Sequence, residues 1–106
     1  MTLGKGMTFA HVGTLGVKPG QRDEVVEILT RRSTDLSGAG CLSYEVGTSD
    51  GHPDTVFVAE LWISAEAHQF SLQLASVQAA IKEAMPLLSG EMGGNSFEVV
   101  GSPLRD

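Results

Sequence analysis

Eight consecutive residues, Thr55-Val56-Phe57-Val58-Ala59-Glu60-Leu61-Trp62, constrain this chain more than any other segment. They are rich in β-branched and aromatic side chains, which favour a pleated, packed surface. Alternation places Val56, Val58, Glu60 and Trp62 on one side and Phe57, Ala59 and Leu61 on the other. Both sides are largely apolar. A sheet with helices on one face hides only one of them, and a face left to water should be polar. The strand therefore needs two covers.

The elements around it predict what the first cover is. Thr8–Val17 reads as a strand with Phe9, His11, Leu15 and Val17 on one face, ended by Lys18-Pro19-Gly20. A helix follows from Gln21, with Asp23 and Glu24 in its first turn and Val25, Ile28, Leu29 and Leu36 as its apolar stripe. Gly38-Ala39-Gly40 supplies the stop. Residues 41–46 alternate as a second strand with Leu42, Tyr44 and Val46 on one side, and residues 47–54 read as the hairpin connection. After the central strand, Ser64 is an N-cap with Glu66 in the first turn. Phe70, Leu74, Val77, Ile81 and Met85 or Leu88 continue at helical spacing, broken or kinked before Pro86. Residues 90–95 read as a loop and 96–100 as a last strand.

The order βαββαβ predicts an α+β class, the ferredoxin-like antiparallel sheet with both helices on one face, in one domain spanning residues 1–106. The second cover is then a second copy. Each large apolar side chain buried there stabilises by roughly 1.5–3 kcal/mol, and such contacts are normally two-fold symmetric. The expectation is a homodimer through the open sheet face. Residues Pro103, Leu104 and Arg105 alone are too few to cover it.

Composition narrows the partners. The chain has 106 residues, 42 % of them hydrophobic and 19 % charged, which leaves enough apolar surface for one core and excludes disorder. Its net charge of −6, with no basic run longer than Arg31-Arg32, argues against nucleic acid and against an anionic membrane. Cys41 is the one cysteine, so no internal disulfide can form. The stretch after Lys5 is interrupted by His11, Gly13 and Thr14, unlike a signal peptide, and no window approaches a membrane span. The expectation is a cytoplasmic protein.

Chemistry concentrates at the end of the central strand. Glu60 and Trp62 share a face where the strand runs into a helix, and a buried carboxylate beside an indole can handle protons. The plainer alternative is that Glu60 pairs with a nearby donor and Trp62 fills core. His11, alternating with Phe9 and Leu15, is either a general base or a satisfied structural histidine. His52 falls in a polar stretch. A metal set of His11, His68 and Glu60 is conceivable by residue type, though its spacing is not local. The glycines match no phosphate-cradling motif, Cys41 reads as a small buried hydrophobe, and there is no nucleophile elbow.

The segment E-x-W-x-S-x-E-A (Glu60, Trp62, Ser64, Glu66, Ala67) resembles the hallmark of the antibiotic-biosynthesis monooxygenase family. Val17-Lys18-Pro19-Gly20, Gly40-Cys41-Leu42-Ser43-Tyr44 and Met85-Pro86-Leu87-Leu88 are similar to that family in order and spacing. The resemblance implies a dimeric α+β barrel with a pocket between sheet and helices. It also implies oxidation of a small phenol- or quinol-type aromatic by O2 with no flavin, haem or metal. Carried over by position, Trp62 matches the family's pocket tryptophan, Tyr44 its frequent strand-two tyrosine and Glu60 the acidic position of the motif. With these, Glu60, Trp62, His68 and His11 are the candidate catalytic residues; Tyr44, Trp62, Phe70 and Phe9 are the candidate substrate-binding ones. Ser71 stands where family members commonly place a helix histidine, the iron ligand of haem-degrading relatives, so haem degradation is disfavoured. The first-strand asparagine of oxygenase-active members has no clear equivalent in this chain, where His11 occupies that region. The competing expectations are a non-catalytic binding or assembly module on this fold and an isomerase using the same pocket.

Overall fold

The computed structural model describes residues 8–104. Four strands, β1 (Thr8–Val17), β2 (Cys41–Ser49), β3 (His52–Trp62) and β4 (Leu88–Val99), form one antiparallel sheet in the order β2-β3-β1-β4. The helices are α1 (Arg22–Leu29), α2 (Thr34–Gly38), α3 (Ala65–Ser71) and α4 (Ala75–Ala84), followed by a 3-10 turn at Met85–Leu87. This is the ferredoxin-like arrangement. The core lies where α1 meets the sheet: Val17, Val25 and Val56 are fully buried, with Leu15, Val26, Leu29, Val46, Leu87 and Leu88 packed around them.

Each long helix of the sequence reading is two helices. Thr30 donates its hydroxyl to the Val26 carbonyl at 2.7 Å, the chain becomes extended at Ser33, and α2 restarts there. Ser71 likewise donates to the His68 carbonyl at 2.6 Å, and residues 72–74 close a tighter turn before α4. A hydroxyl that takes a carbonyl of the preceding turn competes with the main-chain ladder and favours a bend. Arg31 then ties the pieces together, donating to Glu27 and Glu83 at 2.7–2.9 Å across the α1–α4 surface. Ser64 caps α3 as expected, accepting from the Ala67 amide at 3.0 Å.

Two polar stretches are strand, not loop. The β2–β3 hairpin closes on Asp50-Gly51 alone, so most of residues 47–54 is ladder. That tip is exposed on both sides, so it needs no apolar alternation, and Pro53 precedes the first rung to β1 at Thr55. Residues 90–95 likewise belong to β4, which starts at Leu88 and ends at Val99. Their glycines reflect a close approach: a Cβ on Gly94 (φ 145°) would lie 2.5 Å from the Val12 carbonyl oxygen, and one on Gly13 2.7 Å from that of Gly93. A bulge between Cys41 and Ser43 removes Leu42 from the face of Tyr44 and Val46 and leaves it 53 % exposed.

The second face of the sheet carries apolar side chains, interspersed with Glu45 and Asn95, that no helix among the described residues covers. Val12 and Phe97 are exposed there, Phe57 and Leu61 are half-buried, and Ala10 is sheltered between Leu61 and Phe97 on the flanking strands. No helix among the described residues is long and apolar enough to cross a membrane.

Candidate active site

Strand register alone assembles the site. On the helix-covered face Tyr44, Glu60, His11 and Ser96 stand side by side in one row across all four strands. The row toward the end of β3 holds Cys41, Trp62, Phe9 and Glu98; the row on the other side is Val46, Val58, Gly13 and Gly94. A polar line therefore crosses the sheet between rows that are mostly apolar.

His68 is set over this line because α3 starts two residues after β3 ends and folds back onto the sheet. Its ring lies 5.4 Å from that of Trp62 (edge-on), 5.5 Å from Phe9 and 5.6 Å from His11, the two imidazoles stacked at 24°. Its Nε2 is 3.8 Å from Glu60 Oε1. That oxygen also accepts the Trp62 indole N–H at 3.0 Å. Both side chains are largely covered, only 19 % and 10 % exposed. Ser71, buried one turn beyond, holds the helix carbonyl of His68. The position where family members commonly carry a histidine is thus filled by a small hydroxyl, and His68 is the imidazole that reaches the sheet.

Two neighbours feel the carboxylate. Burial first, then the charge of Glu60, pushes the Tyr44 phenol up to about 12, so it stays protonated and can donate at neutral pH. Burial, and after it Glu60, also raises the Cys41 thiol, which donates to the Ser43 carbonyl. Both residues line a cleft of about 400 Å³ between β2 and the α1–α2 junction, together with Leu29, Arg31, Leu36 and Val46.

Of the residues singled out from the sequence, Phe9, His11, Glu60, Trp62 and His68 come together, with Tyr44 beside Glu60. Trp62 is 1 % exposed, so it acts here as a donor that fixes Glu60 and as core, not as an open pocket wall. Phe70 does not join them: it is 57 % exposed and lines a shallow groove on the outer side of α3 with Glu66 and Gln73. The helix period put it on the stripe, but α3 ends one residue later and the stripe is not continuous. Among the described residues no three side chains converge as a metal site. Ser96 was missed. Its hydroxyl lies 2.8 Å from His11 Nδ1, a pairing that only the β1–β4 register reveals.

The sequence profile of antibiotic biosynthesis monooxygenases matches residues 8–83. The chain belongs to this family. A solved protein of Chloroflexus aurantiacus, provisionally described as an antibiotic biosynthesis monooxygenase, is 35 % identical and superposes with a TM-score of 0.78, over 90 % of this chain and 95 % of that one. A similarly described Caulobacter crescentus protein, 22 % identical, gives a TM-score of 0.75 over 91 % and 92 %. One from Nitrosomonas europaea gives 0.79 at only 10 % identity, over 91 % and 93 %, and shares the fold alone. No curated protein matches the chain in sequence.

Proposed function

We propose that this family member oxidises a small phenol- or quinol-type aromatic with O2 and without a cofactor. The observation that carries the proposal is the His68–Glu60–Trp62 constellation. An imidazole boxed by aromatic rings faces a carboxylate that an indole N–H holds still. Glu60 orients His68, and the His68 imidazole accepts the substrate's hydroxyl proton. The rings of Phe9 and Trp62 give the His68 imidazole apolar surroundings. The Tyr44 phenol, protonated at neutral pH, donates to the oxyanion that results. Electrons for oxygen reduction come from the substrate itself, and these residues supply proton transfer and positioning.

We also propose that the open apolar face is covered by a second copy in a two-fold dimer, Phe57, Leu61, Val12 and Phe97 meeting their equivalents. Sedimentation tests this: a species that remains at 11.2 kDa at high concentration overturns it.

The catalytic reading is tested by O2 uptake on a panel of hydroquinones. Uptake above the protein-free rate is expected, with His68→Ala reducing turnover by roughly 10²–10⁴, the usual worth of a general base. No uptake across the panel overturns the oxygenase. Turnover that persists under argon assigns the same proton-transfer machinery to an isomerase instead.

A further inference from the structure

Two copies of the open sheet face can meet under two-fold symmetry in more than one way, and the side chains on that face choose among them. The face is about 33 Å long for ten-residue strands and about 19 Å across four of them. Aligned stacking covers its whole length, whereas crossed stacking covers only its middle. The apolar patch is centred on a row of small residues, Ala59 and Val12, which ends in Glu45 at the β2 edge and Asn95 at the β4 edge. The row on one side is Ser43, Leu61, Ala10 and Phe97; on the other it is Gly47, Phe57, Thr14 and Gly93. A two-fold axis between the stacked sheets, passing over the central row, lies either across the strands or along them.

With the axis across the strands, each strand faces its own copy. Glu45 then meets the partner's Glu45, Phe57 falls on the partner's Leu61, and Ala10 faces the partner's Thr14, small against small. With the axis along the strands, β2 faces the partner's β4 and β3 faces the partner's β1. Leu61 then falls on the partner's Ala10, Phe97 on the partner's Ser43 and Phe57 on the partner's Thr14. Large stands over small each time, as interdigitating layers require. Each Glu45 carboxylate also meets an amide instead of a like charge, which directly opposite would destabilise.

We propose that the two-fold axis runs along the strands and that Glu45 accepts a hydrogen bond from the partner's Asn95, twice in each dimer by symmetry. This rests on the dimer proposed above and adds its orientation and its polar contact. Glu45 also lines the cleft beside Tyr44, so the partner's Asn95 stands at the rim of that cleft.

Cross-linking reads the axis. Glu45 and Asn95 are exposed in the single copy, so changing them leaves its core intact. In a Cys41→Ser background, Glu45→Cys combined with Asn95→Cys should be joined into a covalent dimer by a bismaleimide too short to span the sheet. Neither cysteine alone should be. Charge reads the contact. At pH 8, Asn95→Asp should weaken the dimer about tenfold in sedimentation equilibrium, since two like-charge contacts replace two hydrogen bonds. Adding Glu45→Gln should restore it. A wild-type dimer in which Glu45→Cys alone is cross-linked, the paired cysteines are not, or Asn95→Asp associates as tightly as before overturns the orientation and leaves the dimer standing. A wild type that stays at 11.2 kDa removes both.

Discussion

The two ends of the helix-covered sheet face are built on opposite terms. Under α1, the side chains of Val17, Val25, Ile28 and Val56 are between 0 % and 3 % exposed and contain no polar atom. Beneath α3, on the same strands, lies the line of Tyr44, Glu60, His11 and Ser96 with His68 over it. The first end stabilises through area removed from water, near 25 cal/mol for each Å². The second end spends some of that gain on desolvating a carboxylate and two imidazoles, each of which then needs a partner.

Substitutions at the two ends should therefore separate stability from chemistry. The largest stability effect is expected from Ile28→Ala, about 2–5 kcal/mol for a fully buried side chain, read as a shift in the urea midpoint. Oxygen uptake per folded molecule should stay unchanged; a parallel loss of activity would show that the ends are coupled. Next is Glu60→Gln. The chain has one tyrosine, so absorbance during alkaline titration reports Tyr44 alone, with a wild-type midpoint at about 12 against an ordinary value of 10.0. The Gln variant should titrate lower while remaining above the ordinary value, since burial is the larger cause. The sign for stability follows: between the two values the folded state holds the proton that the unfolded state has lost, so wild-type stability falls as pH rises through that window. Unchanged titration in the Gln variant would remove Glu60 from the phenol's surroundings.

A smaller change is expected in alkylation of Cys41, the one thiol of the chain, which should be slow at neutral pH and somewhat faster in Glu60→Gln. The smallest follows Arg31→Gln. Its forked pairs with Glu27 and Glu83 are solvent-exposed, so thermal melting should barely move and any shift should vanish in high salt.

The fold was legible where chain chemistry is local. The apolar period of β3, the Ser64 cap and the break at Lys18-Pro19-Gly20 all act within a few residues, and they yield the element order. What was not legible depended on distant partners or on competition within one turn. Thr30 and Ser71 are compatible with a helix by propensity, and only their hydroxyl bonds to Val26 and His68 show that the helices divide. Residues 90–95 look like loop because their glycines answer to the backbone of β1, which no local pattern reports. The candidate site divides the same way. Glu60 and Trp62 are two residues apart and were paired on sight, whereas Ser96 and His11 are 85 apart and meet only through a ladder.

That ladder carries one more implication. Around Gly13 and Gly94 the two backbones are pressed so near that a single methyl would wedge them apart. The hydroxyl that steadies His11 sits two positions along from that pinch point. A methyl introduced at residue 13 would thus disturb that contact twice, by lying 3.5 Å from His11 Nε2 and by prying away the outer strand on which the hydroxyl rides.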